Sequence, residues 1–199
     1  MKRIRWMVLF AIVGLLVISV LFVVYRQVKA NREVKRAWRA AIPAAPALAT
    51  TSQLAITPLY EEASSGEGFV DGHGVSYLIR TDGATILLDV GNNPEASPVP
   101  PFVRNMEALG VDAGEMDAIV ITHPHPDHVG GQEAWRHDTV SLGESPGALG
   151  DLPAYVPVAT GGPDAVLSTA PTAVAPDVGT TGVLLYAEVF PLLLFEATG

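Results

Sequence analysis

The chain has 199 residues, 49% of them hydrophobic, with 12 Lys and Arg against 21 Asp and Glu for a net charge of −9, and it contains no Cys. That length suits one globular domain with an appendage rather than two domains, and the lack of Cys excludes disulfides, thiolate metal sites and a Cys nucleophile. Nine of the twelve basic residues lie between Lys2 and Arg39, so the first 39 residues carry +8 and the remainder −17, an acidity that repels a phosphate backbone and excludes nucleic acid as a partner of the globular part.

Trp6 to Tyr25 is an unbroken apolar run with Ser19 as its one polar interruption, closed by Arg5 and Arg26. At about 1.5 Å per residue, twenty such residues cover roughly 30 Å, the thickness of a bilayer core, so residues 1–30 read as a single-pass transmembrane anchor. A cleaved signal peptide is the competing reading, supported by Lys2, Arg3 and Arg5 and by the small-residue site Val28-Lys29-Ala30, but its apolar core usually runs to only about 7–15 residues. Counting basic residues on either side of the span puts the domain in the cytoplasm, whereas a basic tip ahead of a lone anchor argues for export, so the orientation stays open. The basic segment Asn31 to Ile42 reads either as a short helix lying on anionic headgroups, with Val34, Trp38 and Ile42 on one side, or as a solvated stalk. The Pro/Ala-rich stretch to Ser52 reads as a linker, which makes residues 31–52 a juxtamembrane segment and 53–199 the globular domain.

Within that domain, strands are predicted at Leu54 to Leu59, Val75 to Arg80 and Thr85 to Val90, the last two joined by the turn Thr81-Asp82-Gly83. Pro101 to Leu109 has Phe102, Val103, Met106 and Leu109 at helical spacing, with Gly110 as its stop. Ala118 to Ile121 is a continuous apolar run, as expected of a strand buried on both faces. From Leu142 to Val178 the sequence is rich in Gly, Pro, Ala and Ser, and only Ala154 to Val158 looks strand-like. The last twenty residues, from Thr180, look strand-forming.

Directly after the buried run comes Thr122-His123-Pro124-His125-Pro126-Asp127-His128-Val129-Gly130-Gly131. Imidazole and carboxylate are good ligands for zinc and similar first-row divalent ions. His123 and His125, two apart on extended chain, can point to one side. Asp127 and His128 are adjacent and diverge unless the chain turns. Two neighbouring ions resolve this, one held by His123 and His125 and the other by Asp127 and His128, with Pro124 and Pro126 fixing φ between them. A water bridging two such ions would become a nucleophile near neutral pH. Outside the motif, Asp89 reads as a loop cap, His73 as a surface or site-rim histidine, His137 as exposed, and Asp151, Asp164 and Asp177 as loop acids.

The run THPHPDHVGG resembles the HxHxDH signature of the metallo-β-lactamase superfamily, and the resemblance extends through Ile86-Leu87-Leu88-Asp89-Val90-Gly91 and the stretch from Asp117 to Ile121. Around His73-Gly74-Val75-Ser76 and the segment from Asn105 to His123, the sequence is most similar to the branch of dihydropterin ribofuranosyl-aminobenzene phosphate synthases. The resemblance implies an α/β fold of the αββα sandwich type, a site for two Zn2+ ions, with Mn or Fe as substitutes, and hydrolysis by a metal-activated water. It implies that His123, His125, Asp127 and His128 are metal ligands, that Asp127 also acts in catalysis, and that Asp89 orients a ligand histidine. It also implies a further His, a bridging Asp and a last His downstream, and no His follows His137. The expectation is therefore an incomplete domain that binds metal weakly, either a truncated or fragmentary enzyme or a degenerate, catalytically silent, membrane-tethered binding domain. The substrate is not legible.

Twenty apolar residues favour insertion far more than a peripheral contact does. The intact protein should therefore sediment with membranes, with lipid as the partner of its N-terminal helix, and stay there through carbonate extraction. Recovery of a shortened soluble form beginning near Asn31 would establish the signal-peptide reading instead.

Overall fold

A computed structural model of the chain describes residues 2–40, 46–64, 66–144, 147–160, 165–186 and 196–198. They divide into two compact units, one of Met1–Ile42 with Leu185–Glu196 and the other of Pro43–Leu184 with Ala197–Gly199. Among the described residues, the first contains one long helix, α1 (Lys2–Ala40), in which the stretch Phe10–Arg36 is long and apolar enough to cross a membrane. The basic segment after Asn31 is thus no separate helix; it continues α1 without a break to Ala40, and Ile42 lies outside the described residues. Nothing in Tyr25 to Ala40 is a Pro or Gly, so no residue there interrupts the hydrogen-bond ladder.

The second unit is built on a six-stranded sheet in the order β1 (Leu54–Tyr60), β2 (Ser76–Thr81), β3 (Thr85–Leu88), β4 (Ala118–Val120), β5 (Ala154–Val156) and β6 (Ala165–Leu167). The first three strands are antiparallel neighbours, and β3 to β6 run parallel. Pro58 sits at a register shift on β1, an edge strand, where a missing N–H costs little. The predicted strands and the helix α2 (Pro101–Ala108) are present with ends moved by one or two residues. β3 stops at Leu88 because Asp89 takes φ 55, a left-handed conformation that ends the pleat.

Strand periodicity sends alternate residues to opposite faces, and both faces are covered. Leu78, Leu87, Ile119, Ile121 and Val156 join Phe102, Val103 and Met106 of α2 in one core. Ile86, Ala118 and Val120 face the other way and pack with Val174, Ala175 and Val178 from a two-stranded sheet of β7 (Thr172–Ala175) and β8 (Val178–Thr180). The layers therefore run helix, sheet, sheet, in keeping with an αββα arrangement. The Gly/Pro-rich region expected to hold one strand holds three, β5 to β7, and ends where β8 begins, each strand three or four residues long. Of the final stretch, Leu184–Tyr186 and Glu196–Thr198 are strands, while residues 187–195 and 199 lie outside the described residues. Asp164 lies outside them too.

Two side chains secure the long β1–β2 loop. Buried Asn105 on α2 donates from Nδ2 to the carbonyls of Leu59 and Val70, at 2.6 and 2.7 Å, and accepts from Val70 N–H at 2.8 Å, so all but one of its hydrogen-bonding positions are used. Tyr77 donates to Glu61, and this bond, followed by burial and the nearby Glu61 and Asp89 charges, pushes its phenol up to about 12. At the turns, Asp82 accepts from Ser52 N–H and Oγ–H and is held below the usual carboxylate range, and Asp177 accepts from Gly83 N–H.

Because the folded Tyr77 keeps its proton above the ordinary tyrosine value of about 10, its contribution to stability is complete below pH 10 and is lost as pH rises toward 12. Denaturation midpoints measured across that range should fall more steeply for the wild type than for Tyr77→Phe; parallel curves would contradict the assignment. Gly130, at φ 92, has no room for a side chain, since a Cβ there would stand 2.2 Å from the Ser141 carbonyl oxygen. Gly130→Ala should cost at least about 1–3 kcal/mol by thermal unfolding, and an unchanged melting temperature would refute this close approach.

Candidate metal centre

The parallel strands β3 and β4 end side by side, and the polar residues follow at once: Asp89 after β3, Thr122 and the histidines after β4. The carboxyl ends of parallel strands are where open α/β sheets place their ligands. Asp89 N–H continues the ladder to Val120 O at 2.8 Å, and its left-handed turn directs the side chain beneath the motif. From His125 the chain turns into the single-turn helix α3 (Pro126–Val129), started by Pro126 and ended by Gly130. The turn is clamped by backbone, with Val90 N–H on His128 O at 3.0 Å and Gly130 N–H on Gly91 O at 2.9 Å.

Asp89 is 1% exposed, and its carboxylate is filled by the motif. Oδ1 accepts from Thr122 N–H at 2.8 Å; Oδ2 accepts from Thr122 Oγ1–H at 2.7 Å and from His128 Nδ1 at 2.8 Å. A carboxylate only accepts, so His128 carries a proton on Nδ1, and Nε2 is the nitrogen that can donate a lone pair when the ring is neutral. The same logic reaches His123. Thr122 has spent its one hydroxyl proton on Asp89, so toward His123 Nδ1, 3.0 Å away, its oxygen accepts. His123 therefore also presents Nε2 as its basic nitrogen.

The four motif residues are brought together. The His123 ring centroid lies 4.7 Å from that of His125 and 3.9 Å from that of His128, and His128 Nε2 stands 3.6 Å from Asp127 Oδ2. His123 is thus nearer to the residue assigned to the second ion than to its expected partner His125, and the two pairs share one neighbourhood. Among the described residues, no three His, Asp or Glu side chains have their donor atoms gathered on a single point. The donor chemistry nevertheless fits a borderline divalent ion such as zinc: imidazoles held as Nδ1–H tautomers, a partly shielded carboxylate, and a buried carboxylate behind one ring.

Elsewhere the expected roles divide. His137 is exposed at the end of the helix Gln132–Arg136, 3.8 Å from Glu133 Oε2. Asp151 is exposed, and Asp177 tethers a turn. His73, read as surface or rim, is exposed yet reaches the motif, with Nε2 3.4 Å from Asp127 Oδ2 and Nδ1 3.3 Å from Glu62 Oε1. Sequence reasoning did not find Glu62 or the Thr122 hydroxyl; the polar residue directly ahead of the first histidine was the available signal for Thr122. A cavity of about 250 Å³ between β1, α2 and the β1–β2 loop, bordered by Tyr60, Phe69, Asp71 and Asn105, includes none of the motif side chains.

Residues 70–140 match the family model of the metallo-beta-lactamase superfamily. The chain is 39% identical over 83 residues to the UPF0173 metal-dependent hydrolase of Shouchella clausii (strain KSM-K16), covering 40% of this chain and 28% of that protein. It is 32% identical over 85 residues to the transcription termination factor FttA of Cenarchaeum symbiosum (strain A), covering 43% of this chain and 12% of that one. Among solved structures, it is similar to Tm1679, a metal-dependent hydrolase of the beta-lactamase superfamily, at 30% identity and a TM-score of 0.28 over 40% of this chain and 26% of that one. The chain thus spans well under a third of the length of the curated relatives it matches. The stretch matched by the family model, residues 70–140, contains Asp89 and the whole histidine-rich turn, and over that stretch the chain is similar to the metallo-β-lactamase superfamily.

Proposed function

We propose that the protein is a membrane-anchored, metal-dependent hydrolase in which His123, His125, Asp127 and His128 hold zinc, or manganese or iron in its place, with α1 as the anchor. One observation carries the reading. A fully buried carboxylate, Asp89, fixes the tautomer of His128 directly and that of His123 through Thr122, so that two imidazoles are prepared to donate from Nε2. An ordinary surface turn has no use for a buried charge spent in this way, since burying it unpaired costs several kcal/mol.

When bound, a divalent ion supplies Lewis acidity and lowers the pKa of a water molecule enough to make it a nucleophile near neutral pH. The chain does the rest. Asp89 and Thr122 hold the rings against rotation, Pro126 and Gly130 fix the turn, and Asp127, whose side chain is 22% exposed, is the carboxylate within reach of incoming water and serves as proton acceptor. The acidic body of the protein favours neutral or cationic substrates in bulk solution. The second reading is a membrane-tethered binding domain without catalysis, which would retain the ion and turn nothing over.

Detergent-solubilised full-length protein should retain Zn, Mn or Fe and hydrolyse generic phosphoester or lactam substrates. His125→Ala should reduce both properties. Asp89→Asn removes the acceptor charge behind His128 and should weaken metal affinity about 10–100-fold. Less than about a tenth of an equivalent of bound metal, with His125→Ala indistinguishable from the wild type, would sink the enzyme reading. Bound metal without turnover would favour the binding domain.

A further inference from the structure

The β1–β2 loop carries a second histidine–carboxylate pair, and it faces the motif. His73 Nδ1 lies 3.3 Å from Glu62 Oε1, and its Nε2 lies 3.4 Å from Asp127 Oδ2. His128 is arranged in the same way, with Nδ1 2.8 Å from Asp89 Oδ2 and Nε2 3.6 Å from that same Asp127 oxygen. Two imidazoles, each with a carboxylate behind its Nδ1, therefore flank one oxygen atom. Handing the far ring N–H to a carboxylate is the habit of metal-ligating histidines.

The distances separate hydrogen bonding from shared ligation. Charge-assisted N–H···O bonds run about 2.7–2.9 Å. Two ligands of a tetrahedral zinc, with bonds of about 2.0–2.1 Å, stand about 3.4 Å apart. The observed 3.4 and 3.6 Å lie near the second spacing for two of the three donor pairs. Backbone geometry keeps His73 at this place: Gly74, at φ 127, runs so close to α3 that a Cβ on it would stand 2.5 Å from Asp127 O, and Val75 N–H donates to the same carbonyl at 3.3 Å. The His73 side chain is 74% exposed, so its ring can rotate inward without disturbing packing.

Building on the metal-dependent reading above, we propose that His73 is a metal ligand that completes a three-residue site with Asp127 and His128, and that Glu62 orients its ring. As they stand the three donors do not share one point, so ligation requires the exposed His73 ring to move. The rival is an imidazolium bridging Glu62 and Asp127 as a plain ion pair, with no part in metal binding.

The test is titration of the full-length, detergent-solubilised protein with Co2+, read by visible absorption and by calorimetry, for the wild type, His73→Ala, His73→Gln, Glu62→Gln and His137→Ala. We expect His73→Ala and His73→Gln to weaken one class of Co2+ site by at least about tenfold and to change its absorption band, Glu62→Gln to weaken it less, and His137→Ala to match the wild type. The Gln variant keeps a polar side chain in the loop, and unchanged circular dichroism in either His73 variant separates ligand loss from unfolding. Wild-type affinity and spectrum in both His73 variants would overturn this inference alone, leaving His73 an ion-pair partner. No Co2+ binding by the wild type would overturn the metal-dependent reading together with it.

Discussion

Asp89 ties together, through polar bonds, the ends of elements that meet beneath the histidine turn. Its carboxylate is almost wholly buried, a state that costs several kcal/mol for a lone ion. Three hydrogen bonds from Thr122 and His128 offset that cost, each of a kind worth about 1.5–3 kcal/mol when one partner is charged. Its main chain is equally committed, the N–H to Val120 and the carbonyl to buried Ser76 Oγ–H on β2. One residue thereby registers the ends of β2, β3 and β4 against α3. The left-handed backbone at Asp89 is the accompanying strain, and Asp tolerates that region better than most residues.

What Asp89 does with side-chain bonds, glycines do by omission. Gly74, Gly130 and Gly131 all have positive φ, and at each an added Cβ would meet a neighbouring backbone oxygen, that of Asp127, Ser141 or Asn93, at 2.9 Å or less. Three chain segments thus lie against the histidine turn more closely than side chains would allow. The result is a rigid platform under His123 and His128 and a stiff hinge beside His73. Rigidity of this kind determines whether donor atoms meet an ion within the few tenths of an ångström that coordination tolerates.

The histidine turn was legible because its residue types are costly and unusual: four potential ligands in six positions, straight after a doubly buried strand, have little structural use. β3 and β4 were legible for the related reason that continuous apolar runs suit a parallel sheet. β6, β7 and β8 were not. Their residues are mostly small, Thr172 to Ala175 shows no clean alternation of burial, and β7 and β8 pack on the face of the sheet presented by Ile86, Ala118 and Val120. The role of Asp89 was accessible only through family resemblance, since an Asp at a strand end reads equally well as a loop cap. The meeting of His73 with Asp127 was only half legible: 54 positions separate them, and the sequence left His73 between a surface and a site-rim histidine without naming Asp127 as its neighbour.

The two histidine–carboxylate pairs differ in one physical respect, and that difference assigns them different work. His128 and Asp89 have side chains 15% and 2% exposed, so their bond is strong, unscreened and permanent. His73 and Glu62 are 74% and 80% exposed, and a pair so open to water contributes little stability and is screened by salt. The first pair can therefore hold a nitrogen in place before anything binds. The second can bring a nitrogen to the edge of the site but cannot fix it there without a third participant. An arm of this kind, tethered by Gly74 and exposed at its tip, can turn toward Asp127 or away from it without breaking any buried contact.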